Sequence, residues 1–180
     1  MTDNDLQNKR LMAAAIDIGV YVAVLAVFWA LAWALGFALG SAGGERGTMV
    51  MLYANRVLSF LGSLLALGYV LGRDMVANGR SLGKQLVEIR VLTAAGGPIG
   101  FEHSARRNAI FAVGAALGLV AATLQLVPCL GDALVCMMAP LFVLSWLFGI
   151  AAVIVEVIKI TQDPAGVRFG DEWGGTRVVR

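Results

Sequence analysis

Residues Leu11 to Gly40 form one apolar run of 30 residues whose only charged side chain is Asp17. As a helix the run extends ~45 Å at ~1.5 Å per residue, enough to cross a hydrocarbon core ~30 Å thick. A carboxylate inside such a segment costs roughly 2.5–3.5 kcal/mol on insertion scales. Something must offset that cost, so Asp17 constrains both fold and function. Arg10 lies seven residues earlier, two helical turns away on the same face, with ~10 Å between the two backbones. Two readings follow. Both side chains snorkel to the interface and anchor the span, or Asp17 marks a polar site for an ion or solute. In either case a basic group is expected beside Asp17, and Arg10, Arg73 and Lys84 are the candidates.

The rest of the chain has the same character. Hydrophobic residues make up 59% and charged ones 14%, against ~25% charged in soluble domains. The pattern predicts four spans, at 11–39, 48–72, 108–127 and 133–160. Asn55 and Arg56 interrupt the second, Pro140 lies in the fourth, and Pro128, Gly131 and Asp132 mark a turn between the last two. The expected fold class is an all-α membrane protein, a four-helix transmembrane bundle with a small cytoplasmic β element, forming a single domain over 1–180. Of the fourteen basic residues, twelve fall in the N-terminal tail, the 73–107 loop or the C-terminal end. The positive-inside rule therefore predicts cytoplasmic termini and a cytoplasmic central loop, in a multi-pass protein of the plasma (inner) membrane. Asp3 and Asp5, and the length of the first run, argue against a cleaved signal peptide.

The 73–107 loop carries its own pattern. Arg80-Ser81-Leu82-Gly83-Lys84 reads as a turn or short surface helix, and Val87 to Leu92 as a β-branched strand. Ala94 to Pro98 is a turn, after which Ile99 to Phe101 reads as a short return strand. In the tail, Thr176 to Val179 is again strand-like. Unpaired strand edges are unfavourable, so Val87–Leu92 and Thr176–Val179 are expected to pair. That pairing brings Asp171 among Arg80, Lys84 and Arg90.

These segments resemble the RDD family of small integral membrane proteins. The resemblance is carried by Arg10 to Asp17 at the first span, and by Gly79-Arg80-Ser81-Leu82-Gly83-Lys84 with Arg90-Val91 after the second. Gly96-Gly97-Pro98, Arg106-Arg107-Asn108 and Asp171 with Gly175-Thr176 complete it. It covers nearly the whole chain. It implies that Arg10, Asp17 and Asp171 form the functional motif of one arginine and two aspartates, with Asp74 the rival to Asp171. It also implies a loop motif of Arg80, Ser81, Gly83, Lys84 and Arg90. The sequence departs from the family where a glycine often follows the lysine-containing turn and Val87-Glu88 stands instead. The family implies participation in transport and no shared substrate.

Other candidates are weaker. Arg73, Gly175 and Thr176 flank these motifs. Asn55 and Arg56 sit below the outer face; either Arg56 snorkels outward or the two form a polar pocket with Asp132. Glu156 and Lys159, spaced i, i+3, read as an ordinary helix ion pair. The Gly79–Lys84 stretch departs from the phosphate-loop pattern. Its Arg80 and Lys84 are expected to meet lipid phosphates or Asp171. Cys129 and Cys136 read as buried thiols, and a lone His103 argues against a nitrogen- or sulfur-ligated metal site. No cofactor and no catalytic set are expected. A net charge of +2 gives no reason to expect nucleic acid. The expected partners are the bilayer and a second copy or another membrane protein. The chain reads as a non-enzyme that takes part in moving an ion or small solute near Asp17. The alternative is an accessory or scaffold subunit of a membrane complex.

Overall fold

The computed structural model describes residues 3–127, 135–163 and 167–179. Among them are four helical stretches long and apolar enough to cross a membrane: Asp5–Leu39, Gly43–Gly72, Ala109–Leu126 and Ala139–Gln162. The first begins at Asp5 rather than Leu11 because its polar N-terminal turns have tertiary partners. Leu6 packs on the apolar core of the cap described below, and Gln7 Nε2 donates to the Asp163 carbonyl at 3.3 Å.

The first two spans are the arms of one helical hairpin, α1 (Asp3–Gly72), which reverses at Gly44 (φ 55°, ψ −142°). This backbone conformation suits glycine because a Cβ would be strained there. Small residues let the arms approach. A Cβ at Gly47 would lie 2.5 Å from the Leu39 carbonyl oxygen, and one at Gly62 would lie 2.9 Å from Phe28 Cβ. Helices α4 (Ala109–Leu126) and α5 (Val135–Gln162) pack in the same manner. A Cβ at Gly114 would sit 3.0 Å from the Ser145 carbonyl oxygen, and the Ser145 hydroxyl donates to the Gly114 carbonyl at 2.7 Å. Close approach of small residues replaces the hydrophobic drive that lipid surroundings remove. Trp29, Phe37 and Trp146 are exposed on the spans, where they contact lipid.

Both ends of the chain meet on one side of the bundle in a cap. It contains α2 (Leu82–Leu86), β1 (Arg90–Thr93), α3 (Phe101–Arg107), α6 (Phe169–Gly174) and β2 (Thr176–Val179). The expected strand pairing is present: β1 and β2 are antiparallel, with Arg90 opposite Val179 and Thr93 opposite Thr176. Two details differ. Val87–Ile89 precede the strand, because Val87 caps α2 and Glu88 turns the chain with φ 59°. That left-handed conformation is one glycine favours, and it falls where the sequence departs from the family's glycine. Residues 99–101 form no return strand. Ile99 is buried in the cap core with Ala13, Val87, Ile89, Val91 and Val178, and Phe101 opens α3. Full burial of each Val or Ile contributes about 1.5–3 kcal/mol, so this small core ties the first span to both motif-bearing segments. The turn expected at Pro128–Asp132 and the Cys129 position lie outside the described residues.

Helix α2 sits so close to the first span that a Cβ at Gly83 would collide with the Ala13 carbonyl oxygen. Gly83→Ala should therefore lower stability by about 1–3 kcal/mol. Gly68→Ala, where a Cβ meets nothing within 4 Å, should leave stability unchanged or slightly raised. Thermal unfolding of the two variants in one detergent checks the contrast.

Candidate functional site

Asp17 is 2% exposed and its oxygens are taken. Oδ2 accepts from the Ser81 hydroxyl at 2.6 Å. Oδ1 accepts from the Gly83 amide at 2.9 Å and the Tyr69 hydroxyl at 3.1 Å. Arg73 Nη1 stands 3.9 Å from Oδ2. Of the three expected cations, Arg73 is the one beside Asp17. The loop motif supplies the rest: Ser81 is the N-cap of α2, and Gly83 brings a bare amide to the carboxylate.

Asp74 and Asp171 lie on either side of Arg107. Arg107 Nε is 3.1 Å from Asp74 Oδ2, Nη1 is 2.7 Å from Asp171 Oδ1, and Nη1 also donates to the Thr176 hydroxyl at 2.9 Å. Asp74 forms a second ion pair with Lys84 and accepts from Asn108 Nδ2 at 3.2 Å. Asn108 Oδ1 in turn accepts from Arg73 Nη2 at 2.7 Å, which links the Asp74 group to the Asp17 group. Asp171 is closed off by Arg168 Nε at 3.3 Å and Arg10 Nη1 at 3.6 Å.

Three expected pairings are corrected. Asp171 sits among Arg107, Arg168 and Arg10, not among Arg80, Lys84 and Arg90. The reason is α3, which points Arg107 at the tail where a return strand was expected. Arg10 shares a helix face with Asp17 but reaches Asp171, which the tail brings to the end of the first span. Glu156 and Lys159 do not pair. Glu156 Oε1 accepts the Gly170 amide at 3.2 Å, and Lys159 meets Glu172 at 3.2 Å. Arg56 lies over the Tyr53 ring at 5.6 Å, and its proposed companion Asp132 is outside the described residues. Gly175 takes a left-handed conformation at the end of α6, turning the chain so that Thr176 reaches Arg107. Arg107, Asn108, Arg168 and Tyr69 were not among the sequence candidates for the site, and the sequence marks Glu156 only as an ion-pair partner of Lys159. The Arg107-Asn108 pair at the start of a span was the available signal.

Five cations (Arg10, Arg73, Lys84, Arg107, Arg168) thus face the carboxylates of Asp17, Asp74, Asp171 and Glu156 in a largely buried network, with Asp163 acting on Arg10 as well. For Asp74, burial pushes its pKa up, but Lys84, Arg107 and Arg73 outweigh it and hold the carboxyl far below the usual range. Asp171 is likewise lowered against burial, by Arg107, Arg168 and Arg10. Burial pulls Lys84 down to about 7, with Asp74 opposing.

Above this network the four spans line a half-open cavity of about 250 Å³, with Trp146 and Ile150 of its wall exposed at the outside of the bundle. Its walls are apolar, including Leu25, Phe111, Phe142 and Trp146, and its charged lining is Asp17, Arg73, Glu156 and Arg168. A second void of about 30 Å³ lies against the cap and shares Asp17, Arg73 and Arg168 with the first.

The structure is thus a membrane-spanning bundle closed on one side by a buried aspartate–arginine network. The RDD family model matches residues 8–175, and the chain belongs to the RDD family. No curated protein and no solved structure matches it.

Asp17→Leu makes the first span more hydrophobic yet leaves Ser81, the Gly83 amide and Arg73 facing an apolar group. Removing one partner of a buried pair costs about 3–5 kcal/mol, so the variant should unfold at lower temperature than wild type. A raised midpoint would mean that Asp17 contributes nothing to the fold.

The network also sets a pH dependence. Asp74 and Asp171 have folded pKa values below their ordinary 3.8. Their stabilisation is therefore fully present above about pH 4 and is lost as pH falls through and below that value. The unfolding midpoint should drop as pH falls below about 4, and less steeply in Asp74→Asn.

Proposed function

We propose that this RDD-family protein takes part in moving a small solute across the plasma (inner) membrane. In this reading the 250 Å³ cavity is the solute chamber and the charged network is its seal. The observation that carries it is the position of the cavity: it lies between all four spans and ends on Asp17, Arg73, Glu156 and Arg168. An apolar chamber with a few convergent polar groups is the usual form of a small-molecule site. Asp17 then acts chiefly as a latch, since its acceptors already serve Ser81, Tyr69 and the Gly83 amide. The twelve basic residues grouped on the side of the termini support a cytoplasmic cap. The carboxylates' commitment to cations supports a non-enzymatic role. Four spans form a thin wall, which favours a second copy in the working unit.

The saturation of Asp17 also favours a second reading, a scaffold subunit whose rigid cap presents a surface to another membrane protein. Flux separates the two. In proteoliposomes under ion and pH gradients, a carrier moves solute, and Asp17→Asn, which weakens the latch without emptying it, changes the rate at least tenfold. A scaffold gives no flux in either form.

A further inference from the structure

Two buried side chains lining the large cavity keep an atom without a hydrogen-bond partner among the described residues: Glu156 Oε2 and Arg168 Nη2. Glu156 is 3% exposed and Arg168 8%. Each already spends its other atoms locally, Glu156 Oε1 on the Gly170 amide and Arg168 Nε on Asp171. Buried polar groups in folded proteins are almost always satisfied. One free atom is an acceptor and the other a cationic donor; neither has accessible surface in the fold, but both side chains belong to the lining of the same chamber.

This pair discriminates among ligands. A purely anionic head satisfies Arg168 and faces Glu156 with like charge. A purely cationic head satisfies Glu156 and faces Arg168 with like charge. A zwitterion satisfies both atoms and leaves the net charge unchanged. The rest of the chamber calls for an apolar body, since Ile18, Phe111, Phe142 and Trp146 line it. An apolar cavity of about 150 Å³ holds benzene, so about 250 Å³ has room for a leucine- or phenylalanine-sized side chain together with its head.

We infer that the cavity binds an α-amino acid with an apolar side chain. On binding, both side chains turn toward the chamber, so that the ammonium donates to Glu156 Oε2 and the carboxylate accepts from Arg168 Nη2, while the apolar side chain fills the space between the spans. The inference rests on the reading of the cavity as the solute chamber and supplies its substrate class.

Binding to the purified full-length protein in detergent tests it, by titration calorimetry. The probes are L-phenylalanine, L-leucine, phenethylamine and 3-phenylpropionate. Phenylalanine and leucine should bind saturably, with the amine and the acid each at least tenfold weaker than phenylalanine. Glu156→Gln retains an oxygen for the Gly170 amide. It should weaken phenylalanine at least tenfold and leave 3-phenylpropionate as strong as in wild type or stronger, a split that misfolding does not produce. If that variant fails to fold, the wild-type analogue series decides alone. The assignment falls if phenylpropionate or phenethylamine matches phenylalanine on wild type, or if none of the four binds. It also falls if Glu156→Gln weakens all ligands alike while remaining folded, or if another solute crosses proteoliposomes while no amino acid binds. Amino-acid binding without flux upholds the ligand class and removes the transport reading.

Discussion

The arrangement of the cap hangs on the guanidinium of Arg107. It is buried, and it touches Asp74 just after the second span and Asp171 and Thr176 in the tail. Three segments distant in sequence are therefore positioned by one planar group. A lysine has no fork with which to do this. Burial lowers the Arg107 pKa only to about 10, so the charge persists at neutral pH. Glycine backbone makes the approach feasible. A side chain at Gly170 would collide with the Arg107 carbonyl, and one at Gly174 would lie 3.0 Å from Arg107 Cβ.

Burying this many charges is a poor route to stability, since well-packed apolar groups often do as well or better. The network does something that apolar packing does less sharply. Each aspartate accepts only partners with the right geometry, so the register of the tail against the loop is specified. Asp17 illustrates the point. A carboxylate held by a hydroxyl, a backbone amide and a phenol fixes α2 against both arms of the hairpin, whereas leucine in its place would tolerate sliding. The strand pair and the small apolar core under it then need only modest energy to hold one arrangement.

Much of this was legible in the sequence. The energetic cost of Asp17 required a partner, and Arg73 and the Ser81–Gly83 turn provide it. Two strand-like segments on the same side required each other, and they pair. The misreadings share one physical cause: local rules were applied where long-range contacts prevailed. The i, i+3 spacing of Glu156 and Lys159 describes an isolated helix. In the fold, the buried Gly170 amide in the first turn of α6 takes Glu156 instead. Arg10 and Asp17 share a face, but a side chain as long as arginine's is drawn to whichever carboxylate the tail delivers. Residues 99–107 carry too short a pattern to separate strand from helix, and that single ambiguity displaced the partners of Asp171. The cavity was not readable at all. Its lining is mostly apolar and is drawn from every span, and no periodicity marks which side chains leave a gap.

The geometry of the two voids joins the network to the chamber. Asp17, Arg73 and Arg168 line both, so the floor of the chamber is also the roof of the cap. Any motion that opens the chamber toward the cap must separate Arg73 from Asp17 or Arg168 from Asp171. Uncompensated, parting one buried pair costs about 3–5 kcal/mol, enough to keep the open state below about 1% of the population. A ligand shifts such an equilibrium only through contacts it makes better in the open state. A carboxylate arriving beside Arg168 or Arg73 supplies that contact, because it replaces the aspartate as the cation's partner at the moment of separation. Under the proposed solute-chamber reading, the floor is therefore most easily opened by an anionic group from within, and the buried charges that specify the fold also couple occupancy to opening.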